Sequence, residues 1–145
     1  REISEVFDNI CFLAMVRNPY AQVEGIIRRN NATTEYAAAF ALKCLRYQRK
    51  NKENEKNILF FSYEDLCDNK AKVVERIQDF IPEIGEINSD LEFSAHNFKD
   101  KDKMRVQNLN NEKINKLSSE QLHVINSLFK KEEDLLNYFG YSILE

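Results

Sequence analysis

Two short apolar runs, separated by about forty residues patterned for helix, constrain this chain more than any other feature. The first is Ile10-Cys11-Phe12-Leu13-Ala14-Met15-Val16, which shows no polar alternation. The second is Ile58-Leu59-Phe60-Phe61. A run this short and continuous fits a strand buried on both faces, as in parallel sheets layered between helices. Between the runs, Asn18 suits an N-cap and Pro19 a first helical position, which predicts a helix to about Arg29. Ala37, Phe40, Ala41, Cys44, Leu45 and Gln48 recur at helical spacing and predict a second helix from Thr34 to about Asn51. Strand, helical connection and strand make a βαβ unit, so the strands near residues 10–16 and 57–62 are expected to be parallel.

The remaining pattern is helical except for one stretch. Val73, Val74, Ile77, Phe80 and Ile81 share a face of a predicted helix over 70–81, ended by Pro82 and Gly85. From Gly85 to Asn111 the residues turn polar, and a loop this long in a compact domain is usually functional or mobile. Ser118 with Gln121 forms a capping box, and Leu117 with Leu122 a hydrophobic staple. Leu122, Ile125, Leu128 and Phe129 make one stripe, and Leu135, Leu136 and Phe139 another, closed by Gly140. The 145 residues suit a single domain. A two-stranded parallel sheet is not a stable unit, so other strands or another chain are expected to cover the apolar surface of the two runs.

Charge and cysteine usage narrow the partners. A net charge of −3 argues against a general nucleic-acid binder, which normally carries a basic excess. No apolar run approaches the roughly 20 residues that span a bilayer, so no membrane partner is expected. The first five residues, Arg1 to Glu5, lack the apolar core of an export signal. Cys11, Cys44 and Cys67 are too few and too scattered for a disulfide framework or a zinc site; reduced thiols, a cytoplasmic location and no metal are expected.

In an open parallel sheet, ligands bind beyond the carboxyl ends of the strands, which puts Arg17 and Tyr63 at one edge. Arg17 also stands just before a helix amino terminus, where free N–H groups and the dipole favour an anion. Its planar fork matches phosphate oxygens, and a nearby ring stacks on or bonds a base. The pattern sketches a phosphorylated-nucleotide site. Read alone, an arginine at a strand end is more often a surface charge or ion-pair partner, so both readings stay open.

The stretch FLAMVRNPYAQVEGIIRR resembles the sulfotransferase segment in which a strand ends in Arg-(Asp/Asn)-Pro and the next helix carries a serine. ILFFSYEDLCDNKAKVVERIQDFI resembles the later segment with Tyr-Glu-Asp/Glu-Leu, and LSSEQLHVINSLFKKEEDLLNYFGY the closing helices. The matches run in family order over nearly the whole chain. The resemblance implies an α/β fold, a partial three-layer parallel sheet of the P-loop-like kind, mostly helical with two core strands. It implies that residues 1–145 are one incomplete domain, the carboxy-terminal half. It makes 3′-phosphoadenosine 5′-phosphosulfate (PAPS) the co-substrate, Arg17 a ligand of its 3′-phosphate and Tyr63 a contact of its adenine. Gly25 stands where the family has its phosphate-binding serine, leaving backbone N–H groups, Arg28 or Arg29 to hold the phosphate, or a looser grip; Arg28 and Arg29 read otherwise as helix-surface charges, the favoured account. Lys103 and Arg105 lie in a charged run, Lys99 to Arg105, where relatives close a basic loop over the cofactor; a solvated run is the competing account.

The family's glycine-rich phosphosulfate loop has no counterpart among 3 glycines at 25, 85 and 140. Its general base also lies upstream in the family. His123 reads as a border residue of a helix, while His96 sits in the polar loop, where it could face the acceptor or cofactor site or have no such role. Glu64 and Asp65 are expected to bond the following backbone. The implied function is part of an enzyme that moves a sulfuryl group to an acceptor hydroxyl or amine on a small molecule or carbohydrate, inactive in isolation. A non-catalytic nucleotide-binding module or a helical protein-interaction module is the alternative. The sheet's missing cover is either the amino-terminal half or a second copy of the chain.

Overall fold

The computed structural model of the chain describes residues 9–88 and 105–144. Strands β1 (Phe12–Val16) and β2 (Ile58–Ser62) pair directly and in parallel, with Phe12 opposite Ile58 and Val16 opposite Ser62. Between them run α1 (Pro19–Asn30) and α2 (Thr34–Asn54), completing the expected βαβ connection. The Asn18 carboxamide caps α1 by accepting from the Tyr20 N–H at 3.0 Å. Asn31 ends the helix in the left-handed region, at φ 50, which its short polar side chain tolerates.

Helix α2 buries Ala37, Ala38, Ala41, Leu42 and Leu45, and this corrects the predicted face. Phe40 is 42% exposed and stacks on Tyr36 at the surface. Both α1 and α6 (Ser119–Phe129) pack on α2. A column of alanines lets two helices approach closely, so small residues win the interior over the larger Phe40 one column away.

After β2 the chain turns at once into α3 (Tyr63–Asp68), a short helix absent from the sequence reading, capped by Ser62 Oγ accepting from Asp65 N–H at 2.9 Å. Helix α4 (Lys70–Phe80) buries Val73 and Ile77 and ends near Pro82 as expected. Helix α5 (Asn110–Ile114) precedes α6, and α7 (Glu133–Tyr138) follows it. The capping box forms, with Ser118 Oγ accepting from Gln121 N–H at 3.2 Å and Gln121 Oε1 from Ser118 N–H at 2.9 Å. Gly140, at φ 78, lets the Tyr141 N–H return to the Leu136 carbonyl at 3.0 Å.

The core lies on the helical side of the sheet. Val16, Tyr20, Val23, Leu45, Ile125, Phe129 and Leu136 belong to one buried cluster. Tyr20 is fully buried, edge-on to Phe129 with centroids 4.9 Å apart. Its hydroxyl donates to Asn126 Oδ1 at 2.5 Å and accepts from the Leu144 N–H at 3.1 Å, which fastens the carboxy-terminal tail to α1 and α6.

The other face of the sheet departs from the doubly buried strand that the run length suggested. Burial alternates along β1, leaving Leu13 44% and Met15 45% exposed, and β2 is half-buried throughout. Register places Leu13 beside Leu59 and Met15 beside Phe61, so these side chains share one face, exposed on β1 and half-buried on β2. Leu13 and Met15 are the large apolar side chains of the two strands that the described residues leave exposed.

Candidate functional site

Because Val16 and Ser62 are register partners, the residues that follow them leave the sheet at the same edge. Arg17 and Tyr63 meet there, with the guanidinium carbon 4.0 Å from the ring centroid. Tyr63 donates its hydroxyl to the Gln107 carbonyl at 2.6 Å. Burial pushes its phenol pKa up, a bond with Cys67 adds to this, and Arg17 opposes it. Arg17 Nε donates to Asn110 Oδ1 at 2.8 Å, while its Nη2 is buried with no hydrogen-bond partner among the described residues. No carboxylate among them forms a salt bridge with Arg17. A buried donor left unpaired costs about 1–3 kcal/mol, and more when charged. The free Nη2 therefore favours an acceptor, ideally an anionic one.

At the amino terminus of α1, where the sequence suggested an anion, one N–H is engaged within the protein. Glu64 Oε1 accepts from the Asn18 N–H at 2.9 Å, so the protein's own carboxylate sits there. Glu64 also departs from the expected bond to its own following backbone. The same oxygen accepts from Asn110 Nδ2, and Oε2 accepts from the Tyr141 hydroxyl at 3.0 Å. One carboxylate thus joins the β1–α1 junction, α5 and the carboxy-terminal tail.

Burial, and next the Glu64 charge, push the Tyr141 phenol pKa far above its usual range. The native state then holds a proton that the unfolded phenol releases near pH 10. The stabilisation is fully present below pH 10 and is lost as pH rises beyond it, because the unfolded state binds fewer protons there. Urea midpoints between pH 9 and 11 should fall more steeply for the wild type than for Tyr141→Phe. Identical slopes would show that Tyr141 ionises alike in both states. Tyr20 and Tyr63, also raised, leave a residual slope in the variant.

A groove of about 510 Å³ runs beside α1 and α2, lined by Arg17, Gly25, Arg28, Arg29 and Lys113 among others. Glu24, 5% exposed, pairs with Arg28 at 2.9 Å and Lys113 at 3.5 Å. Four cations against that one carboxylate leave the groove strongly positive. Arg28 is thus an ion-pair partner as well as a surface charge, and Arg29 is exposed at the rim. A Cβ built on Gly25 meets nothing within 4 Å. No close approach demands glycine there, and its φ is not positive.

The structure therefore brings Arg17 and Gly25 into one groove and sets Tyr63 against Arg17. Arg105 is exposed in the coil before α5 and does not line the groove. Residues Lys99 to Lys103 and His96 lie outside the described residues, and His123 is exposed on α6. Asn110 and Lys113 escaped the sequence reading, since a polar stretch without periodicity gives no sign of which residue turns inward. The Tyr-Glu-Asp run did flag Glu64, but not its partners.

Among the described residues no group of three His, Cys, Asp or Glu side chains is placed to hold a metal, and no helix is long and apolar enough to cross a membrane. A family model described as a sulfotransferase domain matches residues 9–134. No curated protein and no solved structure gives a significant match.

Proposed function

The chain belongs to the sulfotransferase domain family, a family of transferases, and from that premise we infer that the groove at Arg17 holds the 3′-phosphate of PAPS. The observation that carries this reading is the buried, unpartnered Nη2 of Arg17 beside a groove with excess positive charge. Arg17 offers the phosphate its charge and a directed N–H. Arg29 and Lys113 add charge at the rim and floor. Tyr63 serves the adenine side, and its ring lies against the Arg17 guanidinium. Arg105, exposed outside the groove, is in this reading a further cofactor contact.

When bound, PAPS supplies the sulfuryl group for in-line transfer to a hydroxyl or amine of a small-molecule or carbohydrate acceptor. These residues contribute the 3′-phosphate and adenine side of the site. With glycines only at 25, 85 and 140, they build no phosphosulfate cradle. The reading thus takes the chain as one incomplete domain that binds without transferring. Its open sheet face, at Leu13 and Met15, is where the rest of such a domain or a second copy packs.

Calorimetric titration tests the assignment. Adenosine 3′,5′-bisphosphate should bind more tightly than adenosine 5′-monophosphate, and equal affinities would sink the 3′-phosphate reading. Sulfuryl transfer by the chain alone would show that its catalytic groups lie within these residues. Gly25→Ser adds a hydroxyl in open space on the groove wall. One further bond to a charged phosphate is worth about 1.5–3 kcal/mol, so bisphosphate affinity should rise tenfold or more. The variant should also melt higher, since a mid-helix glycine costs roughly 0.5–1 kcal/mol against alanine.

A further inference from the structure

Arg17 is held by groups that carry no charge. Its Nε bonds the Asn110 carboxamide oxygen at 2.8 Å, and its guanidinium lies on the Tyr63 ring. The carboxylate of this network, Glu64, is linked to Arg17 through Asn110, whose Nδ2 donates to Glu64 Oε1. Both ends of the carboxamide are therefore committed. Turning it over would set N–H against N–H on one side and oxygen against carboxylate on the other. Asn110 is 5% exposed, and its backbone N–H is tied to Asn108 Oδ1 at 3.1 Å, so the whole residue is fixed.

We propose that Asn110, anchored by Glu64, is a positioning residue that aims the Arg17 guanidinium at the groove while leaving its charge unneutralised. A carboxylate bonded directly to Arg17 would orient it equally well, but would compete with any incoming anion for the same N–H groups. An interposed amide separates the two tasks. It transmits the anchoring of Glu64, which is itself held by Asn18 and Tyr141, and leaves Nη2 free. A chain of bonds in a partly buried setting also polarises its members, strengthening the hold on Nε. The consequence for nucleotide binding rests on the reading of the groove as a phosphate site. The positioning of Arg17 does not.

The experiment has two arms. Without ligand, the Arg17 Nε–H resonance of the ¹⁵N-labelled chain should be slow to exchange and shifted by the Tyr63 ring. In Asn110→Ala it should move to the position of a free arginine side chain and exchange quickly. An unchanged resonance overturns the proposal. With ligand, Asn110→Ala should bind adenosine 3′,5′-bisphosphate about tenfold more weakly, the effect of losing roughly one hydrogen bond, and adenosine 5′-monophosphate as before. In an Arg17→Ala background the same change should do nothing further. Equal loss for both nucleotides, alongside a fall in melting temperature, marks a structural role and overturns the proposal. If the wild type shows no preference for the bisphosphate, the phosphate reading fails by itself and the resonance decides the positioning. Should Asn110→Ala not fold, Asn110→Ser carries both measurements.

Discussion

Arg17→Ala should weaken binding of adenosine 3′,5′-bisphosphate by about thirtyfold or more. Truncating one partner of a buried, hydrogen-bonded charge pair costs about 2–5 kcal/mol, and each 1.4 kcal/mol is a factor of ten. Arg17 is the groove cation with a buried, unpartnered N–H, whereas Arg28 and Lys113 are already drawn to Glu24. Its removal therefore takes away charge that its neighbours do not replace. Stability should change far less. The variant loses one bond to Asn110 and the contact with Tyr63, but it also removes the unsatisfied Nη2. Arg17→Lys keeps the charge without the planar fork and should fall between the two. Equal bisphosphate affinity in wild type and Arg17→Ala would remove the phosphate assignment.

Phe129→Ala should destabilise the chain by about 3–5 kcal/mol, a large share of the roughly 5–15 kcal/mol that a domain has. Phe129 has no exposed surface and packs edge-on against the equally buried Tyr20. The substitution opens a cavity among α1, α2 and α6, and it removes an aromatic pair worth about 0.5–1.5 kcal/mol beyond its area. It also loosens the hydroxyl that anchors Asn126 and the Leu144 backbone. Urea unfolding should show the midpoint falling with the slope unchanged. A loss below about 1 kcal/mol would mean that the neighbouring helices collapse into the space, and that Phe129 does not set the packing described here.

Much of this was legible in the residues because it depends on neighbours close in sequence. Unbroken runs at Phe12–Val16 and Ile58–Phe61 announced parallel strands, Asn18-Pro19 the start of α1, Ser118 with Gln121 the start of α6, and Gly140 the end of α7. These are statements about dihedrals and local bonds. Parallel strands of similar length also bring their ends together, which is why Arg17 and Tyr63 were placed at one edge correctly. The buried face of α2 was missed by one column, since helical spacing offers Phe40 and Ala38 on similar terms until α1 and α6 choose between them.

The sequence by itself therefore determined the βαβ unit, the helix caps, the family resemblance and the meeting of Arg17 with Tyr63 at one sheet edge. Tertiary structure alone decided what surrounds that cation. Glu64 took the Asn18 N–H at the amino terminus of α1, Asn110 arrived from a polar stretch 93 positions away to hold Arg17, and Glu24 drew in Arg28 and Lys113. A polar side chain finds its partner by where the packed helices deliver it, and hydrogen bonds between residues so distant leave no periodicity in the chain. The open face at Leu13 and Met15 has the same origin. An apolar run shows that a strand is suited to burial, but only the assembled layers decide which of its faces is covered.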